Sequence, residues 1–224
     1  MITAMDVYGI FIDRLRSIER LYDGASGAFR QRKTKIDAQE APYEVPSIDP
    51  DRYDGEPPFL EEWLEADEFE NVIGQACLSI AHSCLRDYFD GVVARSGIAA
   101  EAEAYLRERR KDGWFKGYIA LFREAYGIDW TKSPTPVDAI EEINLMRNDM
   151  QHGEPALGLA RYRNTNSVER FPFGLFVDDV ERNLSIDARF ARTYVSHDAF
   201  GESIKRLESF CGFVEACTRS KVLS

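Results

Sequence analysis

The run Arg147-Asn148-Asp149-Met150-Gln151-His152 is the part of this 224-residue chain whose residue types and spacing can carry chemistry. A histidine transfers protons near neutral pH, and an arginine holds a phosphate through two parallel hydrogen bonds. On a helix, Asn148 lies one turn before His152 on the same face. Arg147 lies roughly 140° around the axis, within reach of its long side chain. Asn148 and Asp149 are expected to orient the two catalytic groups.

These groups suit the cleavage of RNA, which carries its own nucleophile in the 2′-hydroxyl group. His152 can remove the hydroxyl proton or protonate the leaving 5′-oxygen, and Arg147 can stabilise the charge that develops on the phosphate. The product is a 2′,3′-cyclic phosphate. One chain supplies one such histidine, so a two-fold dimer that packs the motif helices together would place two Arg–His pairs in one cleft.

Neither a metal nor a cofactor is expected at this motif. The sequence contains no HExxH motif, no cysteine–histidine quartet and no acidic cluster with the spacing of metal ligands. Cleavage through the 2′-hydroxyl group requires no metal, so the motif predicts a metal-independent mechanism.

The RNDMQH run resembles the R-x4-6-H signature of the HEPN superfamily, including the polar residue directly after the arginine. The setting is also similar, with an apolar helix before the motif, HG at its end and a closing helix further on. The resemblance implies a HEPN-like helical bundle with catalytic roles for Arg147 and His152 and support from Asn148. It further implies an endoribonuclease that acts as a toxin or as an anti-phage, abortive-infection effector.

The same resemblance implies protein partners, and it also bears on how such a partner would regulate the activity. HEPN proteins often form homodimers with the motif at the interface, and toxins of this kind pair with an antitoxin or a defence-system protein. One toxin subgroup carries a tyrosine two residues after the histidine, which its partner modifies. In this chain the position is Glu154, so that mode of control is not expected.

A different interpretation of the motif stays open. Arg147 can instead form a salt bridge with Asp149 or Glu142, while the negative end of the helix dipole favours His152. The chain would then be a catalytically silent HEPN-like module. It would bind another protein through the motif helix and through an arm formed by residues 24–58.

The net charge of −11 is a second constraint on function. Proteins that bind nucleic acid usually present a basic face to the phosphates, so the acidic balance favours the interaction module. Arg161 and Arg163, soon after the motif, are candidates for a local RNA contact. Two further basic runs are more typical of solvated surface: Arg30/Arg32/Lys33/Lys35 and Arg107/Arg109/Arg110/Lys111.

The other histidines and the tryptophans favour structural roles. His82 lies among apolar residues and is predicted to be a hydrogen-bonded core or groove histidine. His197 lies at a predicted strand-to-helix junction, where we expect it to cap the helix. Trp63, Trp114 and Trp130 can stack on bases, but their position in or beside apolar segments favours the core.

Composition predicts a cytoplasmic protein without membrane contact. The hydrophobic share is 44% and the charged share 30%, and no apolar run approaches the roughly 20 residues that span a bilayer. Asp6 and Asp13 interrupt the apolar positions of the N-terminus, which is unlike a signal peptide. The cysteines show no CxxC spacing and are expected to be reduced core residues.

A mainly α-helical fold must position the motif. Apolar residues at three- and four-residue steps predict helices over residues 2–22, 59–95, 99–111, 114–126, 137–152 and 198–220. The second of these is expected to bury one broad stripe: Leu64, Phe69, Val72, Ile73, Ala76, Cys77, Ile80, Cys84, Tyr88 and Val92.

Two segments are expected to depart from this helical pattern. Asp23-Gly24 should end the first helix, after which the proline-rich residues 24–58 should form an extended arm. We therefore divide the chain into residues 1–58 and a helical domain over residues 59–224. Alternating apolar residues predict a small β-hairpin at about residues 170–195, before the C-terminal helix.

Overall fold

The computed structural model describes residues 6–44, 56–152, 174–177 and 193–222. Within these ranges the protein is mainly helical, with six α-helices and no β-strand. The helices are α1 (Val7–Asp37), α2 (Leu60–Arg95), α3 (Ala99–Glu108), α4 (Trp114–Tyr126), α5 (Val137–His152) and α6 (His197–Val222). Short 3-10 helices precede α4 and α5, at Arg110–Asp112 and Trp130–Lys132.

The helices predicted after residue 58 are confirmed, with small shifts at their ends. Residues 60–95 form one continuous helix, α2. Gly127 ends α4 in the left-handed conformation with φ of 62°, which a glycine adopts without strain. The helix that carries the Arg147–His152 motif also has the predicted bounds.

The prediction for the first helix is wrong at its C-terminal end. α1 continues through Asp23 and Gly24 to Asp37, so residues 24–37 are helical and do not belong to an extended arm. Residues 38–44 follow as turns, and Tyr43 packs edge-on against Phe59 with ring centroids 5.2 Å apart. The rest of the predicted arm up to residue 55 lies outside the described ranges.

Contacts with α2 explain why α1 continues past its glycines. A glycine inside a helix costs about 1 kcal/mol relative to alanine, which tertiary packing can offset. The rings of Phe29 and Phe69 lie 5.0 Å apart, and Arg32 Nη1 lies 2.6 Å from Glu65 Oε2. These contacts hold the C-terminal half of α1 against α2 as a helical hairpin.

One hydrophobic core joins all six helices. Phe89 of α2 is fully buried near its centre, with the rings of Phe122 and Tyr118 of α4 at 5.1 and 5.3 Å. The ring of Phe210 of α6 lies at 6.5 Å on another side. Edge-on and tilted ring pairs of this kind are favourable because ring edges meet ring faces.

The buried face of α2 agrees only in part with the predicted stripe. Leu64, Phe69, Val72 and Ile80 are between 44% and 53% exposed. Cys77, Cys84, Tyr88 and Val92 are buried as predicted, and the helix also buries five residues outside the stripe: Ala66, Leu78, Ala81, Leu85 and Phe89. α2 packs against α1 as well as against α5 and α6, so these neighbours, rather than the apolar pattern, decide which side faces inward.

The segment before α6 is anchored to α2 by polar contacts. Tyr194 donates a hydrogen bond of 2.6 Å to Asp67, and the backbone N–H of Val195 donates one of 3.0 Å to the Asn71 side chain. A Cβ atom at Gly74 would lie only 2.9 Å from Val195 Cγ1. The glycine therefore permits this close approach.

The predicted β-hairpin at about residues 170–195 lies largely outside the described ranges. The described part contains an isolated antiparallel bridge between Val177 and Thr193. The N–H of Tyr194 also donates to the Phe176 carbonyl at 3.0 Å. Among the residues described, these contacts form no β-strand.

None of the described helices combines the length and the hydrophobicity needed to cross a bilayer.

Candidate functional site

The rotation of α5 is fixed by three buried residues on one face. Ile140, Ile143 and Met146 are fully buried at three-residue steps and pack into the core. With that face inward, Arg147 and Asn148 lie half-buried at the edge of the core. The core packing of α5 therefore places the motif at the surface of the bundle.

The Arg147 guanidinium is only partly engaged. Its Nη1 atom donates a hydrogen bond of 3.1 Å to Asn148 Oδ1, and its Nε atom is buried without a hydrogen-bond partner among the described residues. No carboxylate in the described ranges lies within ion-pairing distance of it. Arg147 therefore keeps donors and a full charge for an anion.

Arg147 and Asn148 are joined by a hydrogen bond, and the structure describes the other candidate residues less fully. Asp149 and His152 belong to α5 by their backbone, and only their backbone is described. Arg161 and Arg163 lie outside the described ranges. The helix continues through His152, so the backbone of Asn148 and His152 has the spacing of one turn.

The alternative salt bridge between Arg147 and Glu142 is absent. Glu142 is 5% exposed and accepts a hydrogen bond of 2.5 Å from the backbone N–H of Leu175. Its carboxylate also lies 3.8 Å from the Arg206 guanidinium of α6. Glu142 is thus turned toward α6 and the segment around Leu175, away from Arg147.

His82 of α2 faces α5 beside the motif. It is 3% exposed, and its Nε2 atom lies 2.8 Å from Asn144 Oδ1. Burial lowers the pKa of His82 to about 4, and the charges of Arg147 and Arg86 act in the same direction. The prediction of a buried, hydrogen-bonded histidine is confirmed.

Trp114 covers the other side of His82. The two rings meet edge-on with centroids 5.1 Å apart, and the Arg86 guanidinium lies 5.9 Å from the Trp114 centroid. Trp114 is half-buried, whereas Trp130 is buried and donates to the Ile119 carbonyl. His82, Trp114 and Arg86 therefore form one layer, which contacts the motif helix through the hydrogen bond from His82 to Asn144.

Sequence reasoning missed Asn144 as the partner of His82 and Arg86 as a neighbour of Trp114. Asn144 lies three residues before Arg147, so helix periodicity alone could have placed it on the adjoining face. Arg86 and His82 are four residues apart on α2, but no local pattern indicates that this face meets α5. That pairing depends on how α2 packs in the bundle.

The prediction that His197 caps α6 is wrong. The cap is Ser196, whose hydroxyl accepts a hydrogen bond of 3.1 Å from the Ala199 N–H. The His197 ring instead stacks on Tyr22, with centroids 5.8 Å apart, and its Nδ1 atom lies 2.7 Å from Arg30 Nη1. Because arginine only donates, His197 Nδ1 is the acceptor.

The described cysteines are all free: Cys77, Cys84 and Cys211 are buried, and Cys217 is half-buried. Burial raises the pKa of each thiol, most strongly at Cys211. These thiols are protonated at neutral pH and act as apolar packing groups.

No group of three or more His, Cys, Asp or Glu side chains within the described ranges is arranged to hold a metal ion. No protein-family model, curated protein or solved structure matches this chain.

Proposed function

We propose that this protein is a metal-independent endoribonuclease of the HEPN type. In this proposal Arg147 binds the scissile phosphate, His152 transfers the proton, and Asn148 and Asp149 orient them. The observation that carries the proposal is the state of Arg147. Its guanidinium is held by Asn148 at the end of α5, with a buried Nε and no ion pair in the described ranges.

An arginine in that state suits a phosphate. Its planar fork offers parallel N–H donors that match two phosphate oxygens, and these bonds are strengthened by both charges. The one hydrogen bond to Asn148 fixes the side chain without neutralising it. A structural arginine of similar burial would normally have a carboxylate partner, as Arg95 has in Glu215 at 2.7 Å.

The reaction follows from these groups and the substrate. His152 removes the proton from the 2′-hydroxyl group, whose oxygen then bonds to phosphorus, and the bond from phosphorus to the 5′-oxygen breaks. The leaving 5′-oxygen takes up a proton, leaving a 5′-hydroxyl group and a 2′,3′-cyclic phosphate. Arg147 stabilises the charge on the phosphate during this exchange. In a homodimer formed through α5, the two histidines would serve as base and acid.

The proposed biological role is that of a toxin or anti-phage effector held in check by an antitoxin or a defence-system partner. An uncontrolled ribonuclease slows growth, so expression of the wild type should be toxic. Arg147→Ala and His152→Ala should both relieve the toxicity.

Purified protein provides the direct test. Wild type should cleave a mixed tRNA and mRNA pool in the presence of EDTA and leave 2′,3′-cyclic phosphate ends. His152→Ala should be inactive, whereas Arg109→Ala should retain activity, because Arg109 lies on the surface against Glu124 at 3.4 Å. Equal cleavage of RNA by wild type and His152→Ala would overturn the proposal. The absence of RNA cleavage by the dimer would also overturn it.

A second candidate function is a catalytically silent protein-interaction module. The observation in its favour is an apolar surface on the α1–α2 hairpin, where large side chains are between 43% and 53% exposed: Ile10, Leu21, Leu64, Phe69, Val72 and Ile80. Expression without toxicity, together with no cleavage of RNA, would favour this candidate. So would an association with a partner protein that is lost in Val72→Glu. Association would be measured by sedimentation.

A further inference from the structure

A cavity of about 480 Å³ lies between α2, α3 and α4. Small residues leave this space open: Ala94 on α2, Ala99 and Ala102 on α3, and Gly117 on α4 all line it. A Cβ atom at Gly117 would lie 3.0 Å from Leu106 Cδ2, so a larger residue there would crowd the wall. The volume is within the range of about 300 to 1,000 Å³ that is typical of small-ligand sites.

The rim of this cavity is basic. Arg86, Arg107 and Arg110 line it, and Arg107 forms an exposed ion pair of 2.7 Å with Glu103. Neither Arg86 nor Arg110 has a carboxylate partner in the described part of the chain. Two guanidinium groups at the rim are therefore available to an anion.

Both acids that line the cavity are already engaged: Glu103 is paired with Arg107, and Asp90 lies one turn after Arg86 on α2. Asp90 accepts a hydrogen bond from the Tyr118 hydroxyl, and both residues line the cavity. This bond directs the carboxylate toward α4. The lining thus combines two engaged acids with two arginines that have no carboxylate partner in the described part of the chain.

Trp114 joins the cavity to the candidate catalytic site. It lines the cavity, while its ring also meets His82 edge-on at 5.1 Å. Arg86 lies beside the same ring, at 5.9 Å from its centroid. One aromatic layer therefore separates the cavity from His82, and His82 is hydrogen-bonded to the helix that carries Arg147.

We infer that this cavity binds one nucleotide, with the base against the apolar floor and Trp114 and the phosphate at Arg86 and Arg110. A ligand that is both aromatic and anionic satisfies the apolar floor, the exposed ring and the rim charges together. As a substrate subsite linked to the motif helix through Trp114 and His82, the cavity rests on the proposed ribonuclease function. The binding of a nucleotide can be measured without cleavage.

The test is calorimetric titration of the full chain with adenosine 3′-monophosphate and uridine 3′-monophosphate at low salt. At least one nucleotide should bind about ten-fold tighter than either its nucleoside or inorganic phosphate, since both parts are recognised. Arg110→Ala should weaken binding about ten-fold, through loss of a charged hydrogen bond. Ala99→Phe, which fills the mouth with an aromatic ring at an exposed helical position, should abolish it.

Arg109→Ala is the matched control. Arg109 directly precedes Arg110 in the chain, but it does not line the cavity. Its guanidinium lies over the Tyr105 ring, 4.7 Å from the centroid, and against Glu124. The inference is overturned by no nucleotide binding, by equal losses in Arg109→Ala and Arg110→Ala, or by binding that needs no phosphate.

Two results separate this inference from the proposed function. Nucleotide binding that is sensitive to Arg110→Ala, with no cleavage of RNA, would support the cavity as a nucleotide site and overturn the ribonuclease. Cleavage that depends on His152, with KM unchanged in Arg110→Ala and Ala99→Phe, would support the ribonuclease and overturn the subsite. The thermal unfolding of each variant verifies that it is folded.

Discussion

The imidazole of His82 on α2 is hydrogen-bonded to the side chain of Asn144 on α5, with 2.8 Å between Nε2 and Oδ1. An amide oxygen only accepts, so Nε2 carries the proton and donates it. Asn144 lies three residues before Arg147, so the two residues are neighbours on the surface of α5. This bond therefore joins two helices directly beside the candidate catalytic arginine.

The neutral state of His82 predicts a loss of stability in acid. Burial holds its pKa at about 4, whereas an unfolded histidine titrates near 6.5. Between these values the unfolded chain binds a proton that the folded chain does not, so stability falls as the pH drops below about 6.5. The expected loss from this residue is about 2 kcal/mol at pH 5.

His82→Gln tests this expectation, because it keeps a donor toward Asn144 and removes the titration. Urea unfolding at pH 7.5 and at pH 5 should show the wild type losing about 2 kcal/mol more than the variant. Equal losses would show that His82 does not titrate abnormally.

The geometry of Arg147, and not only its charge, is expected to matter for catalysis. Arg147→Lys keeps the charge but removes the planar fork, so RNA cleavage should fall about 100-fold or more. The rate is measured under single-turnover conditions, and thermal unfolding confirms the fold. Arg109→Lys should be close to wild type. Full activity in Arg147→Lys would mean that no bidentate contact is made.

A buried ion pair on α6 should contribute more to stability than an exposed one on α3. Glu215 accepts hydrogen bonds of 2.7 and 2.9 Å from the two terminal nitrogens of Arg95, and both side chains are largely buried. Glu215→Gln should therefore cost about 3 kcal/mol, because it leaves the arginine charge uncompensated.

Glu103→Gln is the control for that prediction. Its pair with Arg107 has similar length, but both side chains are more than 70% exposed, so the cost should be below about 0.5 kcal/mol. Denaturant unfolding of the two variants at neutral pH compares them. Similar costs at the two sites would contradict the burial argument.

The continuity of α1 can be tested at its glycines. A Cβ atom at Gly24 would meet nothing within 4 Å, so Gly24→Ala should stabilise the protein by about 1 kcal/mol through helix propensity. At Gly74 the same change should destabilise, because the Cβ atom would collide with Val195. Thermal unfolding measures both, and no gain from Gly24→Ala would indicate that α1 ends earlier.

The sequence by itself determined the helices whose signals are local. The helix that carries the motif has the predicted bounds, and Gly127 ends α4 because it adopts positive φ without strain. The motif on α5 is likewise readable from spacing, since residues four apart share one helical face.

Only the tertiary structure decided which elements meet. The continuation of α1 past Gly24 depends on Phe29 and Arg32 contacting α2, and these contacts join residues more than 30 positions apart. The meeting of His82 with Asn144 likewise spans 62 positions. Helix periodicity fixes a face relative to its own axis, whereas long-range packing decides what that face meets. The environment of Arg147 and the cavity beside Trp114 therefore could not be predicted from the sequence.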